Sequence, residues 1–297
     1  MKSGIVVLKK EKGITSQGAV NRVKRLFSAS KAGHTGTLDP LATGVLPILI
    51  GRAVKASEYM LSSDKFYKAV LMLGLTTDTE DITGTVLSEC KNIPEECEVL
   101  SAIAKFEGDI MQTPPMYSAL KVGGKKLCDI ARQGDEIERE ARKITVHSIR
   151  AEKITNNTYS LDVHCSKGTY IRTLCADIGK ALGVGGVMAE LERTKASVFT
   201  LDDAHTLEEI EALSEEERNG LIIPTERVFE QYEKITLDPF FARLARCGVE
   251  IYLKKIKKQL PQGTRVRLCD ELGFFALGEV REFDGALAIK PIKQFEV

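Results

Sequence analysis

Residues 31–51 read KAGHTGTLDPLATGVLPILIG, and the fold and the chemistry of the chain both turn on this stretch. Its first half gathers Gly33, His34, Thr35, Gly36, Thr37 and Asp39 in one loop, and its second half, residues 45–50, is an apolar run that has to be buried. Pro40 biases Asp39 away from the helical region toward extended backbone, while Gly33 and Gly36 permit tight turns and close approach by another backbone. The residues alone admit two readings. One is an Asp-Pro turn leading into a buried strand. The other is a stiffly held carboxylate in a reactive loop braced by core.

The rest of the chain bounds the choice. Its 297 residues, 43% of them apolar, suffice for a large domain or a large domain plus a small one. The apolar run at residues 5–8 is too short for a signal-peptide core, and no stretch approaches the roughly 20 apolar residues of a membrane helix. A cytosolic chain is expected. Seven cysteines, an odd number without a CxxC pair, read as reduced packing residues, and the four histidines do not bracket them at zinc spacing. His164 and Cys165 are adjacent on an alternating stretch and so point to opposite faces, which argues against a metal at that pair.

The formal charge of zero hides an asymmetry. Ten basic residues against Glu11 and Asp39 give residues 1–57 a charge of +8, a field suited to a polyanion around the opening loop. Compensating acid lies in LEEIEALSEEER, residues 207–218, which reads as a single solvated helix.

Working outward, residues 5–8 read as a strand, and Thr15 to Gln17 offer a cap for a basic amphipathic helix over 18–27. Residues 53–61 read as a helix, and KFYKAVLML at 65–73 alternates as a strand that turns Tyr67 and Lys68 to opposite faces. TTDTEDITG at 76–84 is a polar turn, followed by a strand at 85–88 and a helix at 99–106. Residues 112–143 look like a hinged arm: Pro114 and Pro115 stiffen its start, Gly123 and Gly124 form a joint, and seven basic residues mix with five acidic ones. Strands at 144–154 and 159–165 lead to SKGTYIRTL, where Gly168 turns the chain and Thr169 is expected to cap a helix. A strand returns over 188–199. A boundary is expected near 231–236, and the last stretch is a small β-rich module whose residues 251–268 carry six basic residues and no acidic one.

No Walker motif, strand-borne GxGxxG, HExxH or GxSxG is present, so neither cofactor nor metal chemistry is expected. What remains is Asp39 with Arg172 as a cation to keep it ionised, Tyr67 or Tyr170 as aromatic platform or proton donor, and His34 beside it. Pairing with guanidinium lowers a carboxyl pKa, which suits a nucleophile or a general base. Aromatic faces suit a flat substrate such as a nucleobase, where stacking is worth roughly 1–3 kcal/mol.

GHTGTLDPLATGVLP, KFYKA, QTPPMYSALK and SKGTYIRTL, in this order and at these separations, resemble the TruB family of tRNA pseudouridine-55 synthases over most of residues 4–230. Residues 233–297 resemble, more loosely, the RNA-binding PUA domain of that family. The resemblance implies an α+β catalytic domain over 1–232, built on a long, largely antiparallel sheet, and a PUA-like domain over 233–297. It implies conversion of the T-loop uridine at tRNA position 55 to pseudouridine by base flipping, without cofactor or metal. Asp39 is then the catalytic aspartate, Tyr67 stacks on the flipped uracil and is placed for the final proton removal, and Arg172 pairs with Asp39. His34 fills the place of the extruded base. Lys55, Tyr170 and Leu191 line or support the pocket, and the arm, with Lys121 and Lys125, is a thumb closing on the T-arm. Acceptor-stem contacts fall to the C-terminal domain, and a monomer is the simplest assembly. Glu192, in LERT, departs from the basic residue expected there.

Asp39 would act on the ribose or on C6 of the base, as nucleophile or as base at C2′. Two rivals predict different products. A noncatalytic tRNA-binding or tRNA-folding protein leaves its RNA unaltered, and a nucleotide hydrolase using Asp39 and His34 releases a fragment.

Overall fold

The computed structural model describes residues 2–295. Among these, the longest sheet has nine strands, ordered along its main path Gly4–Lys10, Thr43–Ile50, Gly186–Ala196, Lys65–Leu73, Thr158–Cys165, Arg142–Lys153 and Gly108–Gln112. Ala32–His34 and Phe199–Thr200 pair at its sides. All its pairings are antiparallel except that of Gly186–Ala196 with Thr43–Ile50, so the fold is the mixed α/β, largely antiparallel one expected.

That parallel contact explains one glycine of the opening stretch. Arg193 lies opposite Gly44, and a Cβ on Gly44 would stand 2.3 Å from the Arg193 carbonyl oxygen, at a φ of +99° that side chains avoid. Val45 to Ile50 are fully buried between neighbouring strands, as a continuous apolar run requires.

Helix Ser16–Leu26 begins where Thr15 accepts a hydrogen bond from the Gly18 amide at 3.0 Å, and it lays Ala19, Val20 and Val23 on the core. Helix Ile171–Ala181 buries Leu174 and Ile178 against the same core. Three expectations are corrected. Residues 53–61 divide into a 3-10 turn, Gly51–Ala56, and a short α-helix, Ser57–Leu61. The acidic stretch is two helices, Leu207–Ala212 and Glu215–Gly220, because Ser214 and Glu217 form a second capping box, with Oγ accepting from the Glu217 amide at 3.3 Å and the carboxylate from the Ser214 amide at 2.8 Å. Thr169 does not cap its helix: its hydroxyl donates to the Ser166 carbonyl at 3.0 Å, and Tyr170 occupies the cap position.

A second sheet of five strands runs Glu233–Thr236, Arg265–Asp270, Gly273–Phe283, Ala286–Gln294 and Ile251–Tyr252. Helix Pro239–Arg246, capped by Asp238, packs on it. An apolar seam joins the two sheets, with Phe229 between Tyr59, Phe274 and Phe295. No helix among the described residues is long and apolar enough to cross a membrane.

Candidate active site

The loop carrying Asp39 is held by distant parts of the chain. Ser16 Oγ accepts from the Leu38 amide at 2.8 Å and donates to its carbonyl at 2.9 Å, so the residue before Asp39 is fixed to the helix start. The Gly13 amide donates to Pro40 O at 2.8 Å, and Ala42 N to Asp39 O at 3.0 Å. Arg193, fully buried on Gly186–Ala196, donates from Nε to Val45 O at 2.8 Å and from Nη2 to Gly36 O at 3.1 Å. Backbone on both sides of the carboxylate is therefore fixed.

Arg172 meets Asp39 with its fork: Nε lies 2.8 Å from Oδ2, and Nη2 3.3 Å from Oδ1. The same guanidinium donates to Thr79 O at 3.0 Å and to Tyr117 O at 2.7 Å. Arg172 thus joins the Asp39 loop, the polar turn at 76–84 and the root of the arm. The turn is itself braced, with Asp81 buried and accepting from the Thr79 and Thr83 hydroxyls, Glu80 at a φ of +63°, and the Glu80 carboxylate accepting from Thr173 Oγ1 at 2.6 Å.

Asp39, Arg172, Tyr67, Tyr170, Leu191 and Arg193 line one cavity of about 250 Å³. That is below the roughly 300–1,000 Å³ of drug-sized sites and suits one small planar ring. A larger cavity, about 980 Å³, lies in the C-terminal unit among Lys254, Lys257 and Lys258. It holds cations without a carboxylate, which fits a groove for an anionic surface and not a reaction.

Sheet register places the aromatic wall. Tyr67 lies opposite Arg193 on one side and Val163 on the other, and Lys68 lies opposite Glu192 and Asp162, so the two faces of Lys65–Leu73 separate site from solvent. Glu192 lines a shallow cavity with Lys12 and Lys68, away from Asp39. The cation inside the site is its neighbour, Arg193.

Burial reverses one electrostatic expectation. The Asp39 carboxyl is pushed above the ordinary carboxylate range by burial, against the attraction of Arg172 and Lys10 and with help from Asp81. Burial likewise raises the Tyr67 phenol, with Arg193 opposing. Lys10, fully buried, donates from Nζ to Glu11 O at 2.8 Å, and burial pulls its pKa down to about 8 despite Asp39. Lys65 falls to about 8 for the same reason.

Of the residues named from sequence, Asp39, Tyr67, Arg172, Tyr170 and Leu191 come together around the cavity. Tyr170 is held through its backbone by Gln112, which donates to its carbonyl at 3.0 Å and accepts from its amide at 2.8 Å. His34 stands outside the cavity lining, one strand over, with Nδ1 accepting from the Gly36 amide at 3.3 Å and burial lowering its pKa, so the ring is neutral. Lys55 is directed elsewhere: its Nζ donates to Gln294 O at 3.0 Å, across the seam between the sheets. Lys121 and Lys125 are exposed on the arm's small hairpin, away from Asp39. Lys10, Arg193, Gln112 and the 79–81 turn escaped the sequence reading. The available signals were a charged residue ending an apolar strand, an arginine within a strand of mixed charge, and a dense Thr/Asp turn with Ile82 as its one apolar residue.

Residues 24–171 match the TruB family pseudouridylate synthase (N terminal domain), and residues 172–230 match the tRNA pseudouridylate synthase B C-terminal domain. The chain is 43% identical over 279 residues to the tRNA pseudouridine synthase B of Clostridium tetani, covering 93% of this chain and 95% of that one. It is 46% identical over 253 residues to that of Clostridium perfringens, covering 84% and 85%. Among solved structures it is similar to a chain of a Cbf5-Nop10-Gar1 complex, with a TM-score of 0.74, 26% identity, and 99% of this chain and 85% of that one covered.

Proposed function

The chain belongs to the TruB family of pseudouridylate synthases, and on that footing we propose that the cavity beside Asp39 receives the flipped uracil of the T-loop uridine at tRNA position 55 and that the chain converts this uridine to pseudouridine. The observation that carries the reading is the forked Asp39–Arg172 pair at the edge of a one-ring cavity walled by Tyr67. Extrusion of the base is needed because its reacting atoms are shielded while it is stacked.

The reaction breaks N1–C1′, turns the uracil, forms C5–C1′, and moves the C5 proton off as N1 gains one. Ionised Asp39 acts by attack at C1′ of the ribose, by attack at C6 of the base, or by proton removal at C2′, and Arg172 keeps the carboxylate charged and aimed. Deuterium at C2′ slows turnover only in the last case. Tyr67 offers a face to the base, and the small cavity confines the detached uracil until it recombines. The buried phenol of Tyr67 is protonated at neutral pH, so its part in final proton removal requires giving its own proton to N1, with Arg193 stabilising the phenolate that then takes the C5 proton.

Contacts with RNA are read from charge. The field of residues 1–57 faces the T-arm, with His34 in the place of the extruded base and the arm at 112–143, including Lys121 and Lys125, closing as a thumb. Lys254, Lys255, Lys257 and Lys258, within the unit read as PUA-like from residue 233 onward, meet the acceptor stem. A monomer suffices for all of these contacts. Incubation with a T-arm stem-loop transcript, followed by carbodiimide mapping, tests the reading. Wild type should mark a single T-loop uridine, and Asp39→Asn should bind the transcript without marking it. Unaltered RNA with wild type would favour the tRNA-folding alternative, and turnover by Asp39→Asn would remove the assignment of that residue.

A further inference from the structure

On the face of the main sheet opposite Tyr67, the turn before Lys65–Leu73 and the hairpin of Arg142–Lys153 and Thr158–Cys165 bring Asp64, His147 and His164 together. Their donor atoms all lie within 4.8 Å of one another. Asp64 Oδ2 is 3.3 Å from His147 Nε2 and 3.5 Å from His164 Nε2. Both separations exceed the usual 2.9–3.0 Å of an N–H···O hydrogen bond. They match instead the edge of a tetrahedron, about 3.3–3.6 Å, that follows from metal–ligand bonds of about 2.0–2.2 Å.

The backbone is shaped to present these groups. A bulge between Val146 and Ser148 places His147 in the bulge, beside the Ser148–His164 pair. Bulges of this kind re-aim a side chain. The His164 ring is held by Phe66, stacked at 3.9 Å and 9°, and Lys195 in turn covers Phe66. His164 and Cys165 do split to opposite faces, with Cys165 buried inward, so the outward imidazole finds its partners across strands and not along one.

We propose that Asp64, His147 and His164 bind one divalent transition cation, of which Zn²⁺ is the type. Two imidazoles and a carboxylate are the nitrogen and oxygen donors such ions prefer, and three protein ligands leave a fourth position for water. Bound there, the ion ties the turn before Lys65–Leu73 to Arg142–Lys153 and Thr158–Cys165. It lies apart from the Asp39 cavity and takes no part in isomerisation.

The test uses the full chain, cleared of metal with a chelator and titrated with Co²⁺. The expected result is a visible d–d spectrum of tetrahedral type that saturates at a single equivalent, lacks thiolate charge-transfer absorption, and disappears when Zn²⁺ is added. Zn²⁺ should also raise the unfolding temperature. His147→Gln and Asp64→Asn should each weaken binding by roughly a hundredfold or more while keeping wild-type circular dichroism and pseudouridine formation. If one variant does not fold, the other decides. Failure of wild type to saturate at micromolar Co²⁺, a thiolate band, or binding retained by a folded variant overturns the proposal.

Discussion

The loop at 33–44 and the arm at 112–143 are both rich in the residues that mark turns, yet they are held in opposite ways. The loop is pinned by Ser16, Gly13, Arg172 and Arg193, each from a different element, and Leu38 and Ala42 are buried. The arm is fixed at its two ends, where Gln112 grips the Tyr170 backbone, Tyr117 O accepts from Arg172, and Arg142 and Lys143 pair with Gln112 and Met111 in the sheet. Beyond that, residues 121–125 are exposed, and a Cβ on Gly123 or Gly124 would meet nothing within 4 Å. Composition marks where a chain turns. Hydrogen bonds to distant segments decide whether the turn is rigid, and here the rigid one carries Asp39 and the less held one presents Lys121 and Lys125.

Arg172→Lys should break this contrast most severely. A lysine cannot serve Asp39, Thr79 O and Tyr117 O together, so the pinned loop and the arm root loosen at once. Turnover should fall on the order of a hundredfold or more, and chemical denaturation should show a loss of about 1–3 kcal/mol from the stranded acceptors.

The pH profile probes the pinned region alone. Because burial raises the Asp39 carboxyl, turnover should decline on the acid side at a pH above the ordinary carboxylate value of 3.8. The stability sign follows. A carboxyl with a raised folded pKa binds its proton more tightly when folded, so ionised Asp39 costs stability above that window and the cost fades as pH falls through it. Lys10 gives the alkaline side. Above its pKa of about 8, Asp39 loses a neighbouring cation and turnover should fall again, and Lys10→Met should lower the plateau and remove that limb. Between about 8 and the ordinary 10.5, the unfolded chain holds the Lys10 proton that the folded chain has released, so this group makes stability rise with pH there. Unfolding temperatures measured across the two windows check both signs.

Gly124→Ala probes the free region. At a φ of +83° an alanine is strained though unobstructed, so the hairpin should shift and KM for a T-arm transcript rise a few-fold with kcat nearly unchanged. An equal fall in kcat would mean that the arm, too, is part of the rigid site. The smallest effect is expected from replacing Lys254, Lys255, Lys257 and Lys258 with Gln. Affinity for whole tRNA should drop and its salt dependence flatten by about one unit of slope for each phosphate that is no longer neutralised, with affinity for the isolated T-arm unchanged.

Much of this was legible in the order of residues. An apolar run broken only by Pro47 predicted the buried strand at 45–50, alternation placed Tyr67 and Lys68 on opposite faces, and four motifs pointed to Asp39, Tyr67 and Arg172. Local capping was legible where the partner lies three residues away, as at Thr15, and was misread at 207–218, where Ser214 opens a new helix inside an acidic run. The arm at 112–143 has its hinge glycines in the sequence, whereas its two anchors, on Tyr170 and Arg172, are some 55–58 residues away along the chain.

By itself, then, the sequence determined most of the strand and helix pattern and the small basic module at the end, because periodicity acts over a few neighbours, and its four motifs named, through their family resemblance, the three residues at the centre of the proposed chemistry. Tertiary structure alone decided that Arg193 enters the site, that Lys10 comes close enough to act on the charge of Asp39, that Lys55 turns away to Gln294, and that Asp64, His147 and His164 meet. It also decided the sign of the Asp39 shift. Pairing with arginine lowers a carboxyl pKa and burial raises it, and the balance depends on how much water the surrounding elements exclude, which no run of residues states.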